Sequence, residues 1–282
     1  MTTETTWRLV RHDAPLDGAL NMAIDQAILE AVSAGEVPPT LRFYGWQPPC
    51  LSLGYMQPID DVDEARLAAQ GWGLVRRITG GRAILHTDEL TYSVTVRDQH
   101  PVVEGDIVAS YRRLSGALLD GLHRLGAQAD ADRRAERHPD AKGPVCFEVP
   151  SHYEITFEGK KLVGSAQVRK LGVVLQHGSL PLMGDITRIC DALTFSSDER
   201  RERVRARVRT RAATLAEVLG QVVTWDQAVA AMQAGFEHTF DLVFESTDLT
   251  PAEQARAEEL RAAQYATREW HARFRSKKAH SG

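Results

Sequence analysis

The sequence predicts an α+β fold, and three observations carry that expectation. Strands cluster as hairpins and a meander instead of alternating steadily with helices, three of them follow one another between residues 153 and 180, and the chain from Asp185 onward reads as mostly helical. Its 282 residues are 43% hydrophobic and 26% charged, a globular composition with enough length to bury a sizeable core.

The elements follow in order. A short strand at Trp7–Val10 precedes a helix over Gly18–Val32, where Leu20, Ala23, Ile24, Ala27, Ile28 and Ala31 recur at helical spacing. Thr40–Tyr44 and Cys50–Tyr55 read as strands parted by the breaker Trp46-Gln47-Pro48-Pro49, and Asp61–Gln70 as a short helix. Leu74–Arg77 and Leu90–Val96 are further strands, with a glycine-containing segment between them. Ile107, Tyr111, Leu114, Leu118, Leu122 and Leu125 mark an amphipathic helix over Asp106–Leu125, after which Asp130–Pro144 is charged, without apolar period, and reads as a loop. Tyr153–Phe157, Lys161–Val168 and Val173–Leu180 form the meander, with Glu158-Gly159 as its first tight turn. Helices are predicted over Asp185–Leu193, Ser197–Arg211, Leu215–Leu219, Trp225–Phe240 and Pro251–Tyr265. No linker composition marks a second domain, so residues 1–245 are expected to form one domain and residues 246–282 a helical extension packed on it.

Charge and cysteine usage exclude several classes. Lys plus Arg total 34 against 38 for Asp plus Glu, a formal charge of −4, so there is no global basic field and nucleic acid is not an expected partner. Cys50, Cys146 and Cys190 form no CxxC pair, which argues against a zinc knuckle and suits a reducing cytoplasm. Neither a signal peptide nor an apolar run near the roughly 20 residues of a membrane helix is present, so a cytoplasmic protein without membrane contact is expected.

Two segments hold the residues suited to chemistry. In Arg76-Arg77-Ile78-Thr79-Gly80-Gly81-Arg82-Ala83-Ile84-Leu85-His86, adjacent glycines let backbone approach a ligand and paired arginines can hold anionic groups. The segment matches neither a Walker A loop nor GxGxxG, and a glycine bulge between strands explains it as well. The second segment pairs Cys146, in Val145-Cys146-Phe147-Glu148, with Lys161, in Lys160-Lys161-Leu162-Val163-Gly164-Ser165-Ala166-Gln167. A thiol attacks as its thiolate, and a nearby ammonium lowers its pKa from about 8.5. Cys50 and Cys190 read as small buried hydrophobes. His86, His152 and His177 lie near these segments without metal-ligand spacing; His86 is the best placed for a polar role in a site. The arginine-rich run Arg200–Arg211 keeps Val204 and Val208 on one stripe with acidic residues interspersed, which reads as a solvated helix face, with docking of an acidic carrier as a second reading.

These residues stand in an order that resembles the lipoate-protein ligase and octanoyltransferase superfamily, and within it the LipM-type octanoyltransferases. Leu41-Arg42-Phe43-Tyr44-Gly45-Trp46, Arg77-Ile78-Thr79-Gly80-Gly81-Arg82, Leu85-His86, Cys146-Phe147, Gly164-Ser165-Ala166-Gln167 and Leu175-Gln176-His177-Gly178-Ser179 carry the resemblance, which spans nearly the whole chain. It implies a biotin/lipoate-ligase-like catalytic domain, with a mixed, largely antiparallel sheet flanked by helices and a helical C-terminal extension. It also implies an acyltransferase without cofactor or metal. Octanoyl would pass from octanoyl-acyl carrier protein to a lysine of the glycine cleavage H protein or another lipoyl domain. Cys146 matches the acyl-carrying cysteine of the family and Lys161 its lysine. Arg77, Gly80, Gly81, His86, Gly164, Ser165 and Ala166 are the expected substrate-binding residues, with Ile84 and Val163 as walls of an acyl tunnel. The competing readings are an ATP-dependent lipoate ligase, an amidotransferase moving octanoyl between protein lysines, and a non-catalytic lipoyl-domain binding module. Ligases of the superfamily typically carry a third glycine where this chain has Arg82, so Arg82 and Cys146 favour the transferase.

Overall fold

A computed structural model describes residues 5–132 and 154–275. Its core is an eight-stranded mixed sheet in the order β11-β1-β2-β6-β10-β9-β8-β7, built from β1 (Thr6–Arg11), β2 (Thr40–Tyr44), β6 (Glu89–Arg97), β7 (Asp130–Asp132), β8 (Glu154–Phe157), β9 (Lys160–Lys170), β10 (Val173–Pro181) and β11 (Val243–Ser246). β1 pairs parallel with β2 and β11, and the other neighbours pair antiparallel. A second, three-stranded sheet sets β3 (Cys50–Leu53) between β4 (Gly73–Arg76) and β5 (Ile84–His86). The mixed, largely antiparallel sheet flanked by helices is the predicted fold class. β11 is a strand that the mostly helical reading of the chain after Asp185 did not include.

Strand alternation sorts the two faces of the large sheet. Along β6, Leu90, Tyr92, Val94 and Val96 join the core cluster beneath α3 (Ile107–Arg124) and α6 (Trp225–Phe240), where Leu114, Leu118, Leu122, Met232 and Phe236 meet them. Thr91, Ser93 and Thr95 turn to the opposite face, towards α1 (Gly18–Ala34). A buried face carrying hydroxyls needs partners for them, and that requirement locates the polar machinery described below.

Local signals start and stop these helices. Asp17 accepts from Leu20 N to open α1, and Gly35 closes it in the left-handed region at φ 77°. Thr214, Thr224 and Thr250 form capping boxes with Glu217, Gln227 and Glu253, opening α5 (Leu215–Leu219), α6 and α7 (Pro251–Leu260), each cap contributing about 1 kcal/mol. α7 then packs on α1, with Ala257 and Leu260 in the same cluster as Ile24 and Ile28. Glu253 accepts a bidentate pair from Arg8 of β1 at 2.6 and 2.8 Å, tying the C-terminal residues to the sheet. The arginine-rich α4 (Asp198–Arg211) buries Val204 and Val208 and exposes most of its charges, as a solvated amphipathic helix should. Among the described residues, no helix is long and apolar enough to cross a membrane.

Candidate active site

The segment between β4 and β5 is held in place by its two arginines. Arg76, fully buried, donates to the carbonyls of Gly54, Tyr55, Gln57, Trp270 and His271, while Trp270 Nε1 donates back to the Arg76 carbonyl at 2.9 Å. Burial and the positive charges of Arg273 and Arg77 pull the Arg76 guanidinium down to about 10. Arg77 donates through Nη2 to Gly80 O at 3.0 Å and Arg82 O at 3.1 Å, through Nη1 to Ser52 O and Oγ, and through Nε to Thr79 Oγ1. These five bonds engage its five N–H donors. The arginine pair therefore braces backbone. Gly81 adopts φ 90°, and a Cβ on Gly54 would lie 2.0 Å from the Gly81 carbonyl oxygen, so glycine at 54 is what lets the segment close against β3.

Two adjoining cavities open around this segment. The inner one is lined by Met22, Trp46, Ile84, Gly164 and Ala166, together with Arg77, His86 and His177. The outer is lined by Gly80, Gly81, Ser165, Ala166 and Gln167 across from Ile107, Val108 and Tyr111 at the start of α3. Ala166 lines both. The expected binding residues Arg77, Gly80, Gly81, His86, Gly164, Ser165 and Ala166 are thus brought together from distant parts of the sequence. Of the two expected tunnel walls, Ile84 lines the inner cavity. Val163 does not: it packs in the cluster under α3 and α6, on the other side of the sheet.

A register step explains that correction. On β8 and β9, Ile155 pairs with Val163 and Thr156 with Lys161, so one residue on β8 is matched by two on β9. Adjacent residues of β8 face opposite ways, hence Lys161 and Val163 do as well. Lys161 shares its face with Gly164 and Ala166, and its Nζ donates to Glu154 Oε1 at 2.7 Å, with side chains only 6% and 12% exposed. Cys146 lies outside the described residues, as does His152. Cys50 and Cys190 are buried in apolar clusters as expected, and burial pushes the Cys50 thiol far up, which keeps it protonated.

Sequence reasoning missed the polar groups under the inner cavity. Asp25, 1% exposed, accepts from Arg42, Ser93 and Tyr44 at 2.8 to 2.9 Å and from His177 Nδ1 at 3.1 Å. Burial alone would raise its carboxyl, but the His177 hydrogen bond and the Arg42 charge outweigh it and hold the group below the ordinary carboxylate range. Glu89 accepts from His86 Nδ1 at 2.6 Å and from Thr91 and Ser179, and is likewise held low despite burial. Trp46 stacks on His86 with ring centroids 3.9 Å apart and donates to Thr91 Oγ1 at 2.8 Å. The available signal was a carboxylate at 25 amid the apolar positions of α1, and the alternating hydroxyls of β6.

Comparison with known proteins agrees with this architecture. Residues 17–237 match the family described as lipoyl protein ligase A/B catalytic domain. Octanoyltransferase LipM of Kyrpidia tusciae is 44% identical over 95% of this chain and 99% of its own length, and that of Moorella thermoacetica 44% identical over 94% and 97%. Among solved structures, a bi-partite lipoate protein ligase from Thermoplasma acidophilum superposes with a TM-score of 0.80 at 25% identity, covering 98% of this chain and all of that one. A putative lipoate protein ligase from T. acidophilum with bound lipoic acid gives 0.74 at 26%, covering 95% and 99%. By the match over residues 17–237 and by relatives 44% identical across nearly its whole length, the chain belongs to the lipoyl protein ligase A/B catalytic-domain family and is an acyltransferase.

Proposed function

We propose that this enzyme transfers an octanoyl group from octanoyl-acyl carrier protein to a lysine of a lipoyl domain, such as that of the glycine cleavage H protein, in the cytoplasm, through a thioester on Cys146. The carrying observation is the inner cavity: Met22, Trp46, Ile84, Gly164 and Ala166 offer it apolar surface, and its polar neighbours are hydrogen-bonded to one another. A wall of that kind suits a hydrocarbon chain, because among the described residues the polar side chains beside it already have partners and need not be desolvated bare.

In the first half-reaction the Cys146 thiolate attacks the carrier thioester carbonyl, the carbon–sulfur bond to the carrier breaks, and the carrier thiol leaves with a proton. Thioester is exchanged for thioester at little net cost. In the second, the acceptor amine attacks the enzyme thioester, loses its proton and forms an amide while Cys146 departs; this step is downhill without ATP. Lys161 supports the sequence by its placement on the cavity face of β9, where an ammonium favours the thiolate and the developing oxyanion. Gly80, Gly81, Gly164, Ser165 and Ala166 line the acyl passage, and Arg77 and His86 support it from beneath.

The test is incubation with octanoyl-acyl carrier protein in the absence of ATP. An octanoyl mass should appear on the protein, be removed by hydroxylamine, and be missing from Cys146→Ser. An unlabelled wild-type protein that instead uses free lipoate with ATP would replace this reading with the ligase.

A further inference from the structure

Two buried carboxylate–histidine pairs flank the inner cavity, and Arg77 joins them. On one side Arg77 Nε donates to Thr79 Oγ1 at 3.3 Å, Thr79 Oγ1 meets His177 Nε2 at 2.7 Å, and His177 Nδ1 meets Asp25 Oδ2 at 3.1 Å. On the other, Arg77 Nη1 donates to Ser52 Oγ at 2.6 Å, Ser52 Oγ meets His86 Nε2 at 2.6 Å, and His86 Nδ1 meets Glu89 Oε1 at 2.6 Å. The two arms have the same order of groups: guanidinium, hydroxyl, imidazole, carboxylate.

With neutral imidazoles, that order sets where the protons go. A guanidinium only donates and an ionised carboxylate only accepts. Each hydroxyl receives from Arg77, and where the imidazole is neutral and gives its Nδ1 proton to the carboxylate, the hydroxyl gives its own proton to Nε2. The carboxylate ends are anchored in turn, Asp25 by Arg42, Tyr44 and Ser93 and Glu89 by Thr91 and Ser179. Burial holds the His177 imidazole below its ordinary range, against the pull of Asp25, which agrees with a neutral ring. At the centre, Arg77 Nη2 holds the carbonyls of Gly80 and Arg82, the backbone of the outer cavity wall.

We propose that the line Asp25–His177–Thr79–Arg77–Ser52–His86–Glu89 is one proton-ordered brace with Arg77 as its hub. In it Asp25, Thr79 and Ser52 are positioning residues for acyl transfer, acting through the Gly80-Gly81 backbone without lining either cavity, while His177 lines the inner one. The proposal rests on the reading that the cavities receive the acyl chain. Cutting either arm frees the same hub, so Thr79 and Ser52, each of which bonds to Arg77, should be coupled.

Two measurements test this. In the first, octanoyl loading of Cys146 is followed for Thr79→Val, Ser52→Ala and the double variant, as rate per folded molecule at a temperature where circular dichroism shows each one folded. Each single cut should slow loading on the order of 10-fold through misplacement of the glycine backbone. The double variant should be little slower than the worse single, and Thr79→Ser, which keeps the hydroxyl, should recover most of the rate. Losses that multiply in the double variant, or a rate per folded molecule that does not change, overturn the brace while leaving the acyl reading intact. In the second, nitrogen-15 NMR of the wild-type protein reads the imidazole tautomers directly, whether or not the protein loads. Both His177 and His86 should be neutral Nδ1–H tautomers. An Nε2–H tautomer or an imidazolium at either position at pH 7.5 would overturn the proposal, and failure of the wild-type protein to load would sink the acyl reading separately.

Discussion

Lys161 and Val163 stand two residues apart on one strand and face opposite sides of the sheet, because the β8–β9 register steps between their partners Thr156 and Ile155. Without that step Lys161 would lie on the side of α3 and α6. With it, the ammonium shares the face of Gly164 and Ala166 and is held by Glu154 at 2.7 Å. Lys161→Ala should keep the fold and slow octanoyl loading of Cys146 on the order of 10²–10³-fold, the range for losing one group that stabilises developing charge. Glu154→Gln keeps a hydrogen-bond acceptor beside Nζ and should cost much less. Loading followed by intact-mass spectrometry, with circular dichroism as the folding control, checks both; a normal rate in Lys161→Ala removes its assigned role.

The pH dependence of stability follows from buried imidazoles. Burial holds His12 down to about 4, helped by the Arg42 charge, and burial also lowers His177 and His271. An unfolded histidine binds its proton near pH 6.5. Between that value and the lower folded one the unfolded chain carries more protons, so this contribution to stability is complete above about pH 6.5 and is lost as pH falls through the window. His12 accepts from Arg42 Nε at 3.3 Å, a role the Asn side-chain oxygen can take. His12→Asn should flatten the stability profile between pH 6.5 and 4 by up to about 1.4 kcal/mol per pH unit, the slope due to one proton. Urea unfolding at a series of pH values measures it, and parallel profiles for variant and parent would refute the assignment.

The contact of α3 with α6 depends on a glycine. A Cβ on Gly235 would lie 2.4 Å from Ala117 O and 2.6 Å from Gly121 N, backbone atoms that cannot swing aside. Gly235→Ala should therefore force the helices apart and destabilise the protein by about 1–3 kcal/mol or more. Gly116, also on α3, has its nearest neighbour, Thr239 Cγ2, 3.9 Å from the same ideal position. Gly116→Ala should be neutral or stabilising by up to about 1 kcal/mol, since it relieves the helix of glycine's backbone entropy. Denaturant melts of the pair test the contrast, and equal destabilisation by both would show that the interhelical approach is not what matters.

What was legible in the sequence is what local periodicity encodes. The apolar steps of α1, α3 and α6, and the Glu158-Gly159 turn, which takes φ 49° and 77°, reflect forces acting within a few residues. β11 was illegible because Val243–Ser246 is short and largely exposed, and its strand character comes from parallel pairing with β1, more than 200 residues away in sequence. Asp25 and Glu89 escaped for a related reason: a buried carboxylate reads as a surface residue until its partners are known, and the His177 that meets Asp25 is 152 positions along the chain. The placement of Val163 failed at the register step, since strand parity predicts a face only while the ladder is regular. The glycine segment stood out by its adjacent glycines and paired arginines, but what it and the Gly164-Ser165-Ala166 strand would bind came from their resemblance to a family motif, which no local rule supplies.

Ala166 is where acyl length should be set. Its side chain lines both cavities, so anything larger there narrows the passage from the outer wall of Gly80 and Gly81 to the inner end at Met22 and Trp46. Each methylene that no longer fits an apolar pocket is worth about 1–3 kcal/mol, or 10–200-fold in specificity. Ala166→Leu should therefore shift the ratio of kcat/KM for hexanoyl-carrier over octanoyl-carrier upward by about 10-fold or more, chiefly by impairing the longer chain. Val163→Ala supplies the control, because Val163 faces the other core: it should lower stability, as a large-to-small change in packed hydrocarbon does, while leaving the chain-length ratio alone. If the ratio moves equally in both variants, loosening of the sheet rather than blockage at residue 166 governs it, and the acyl chain must then run elsewhere than through the junction that Ala166 forms.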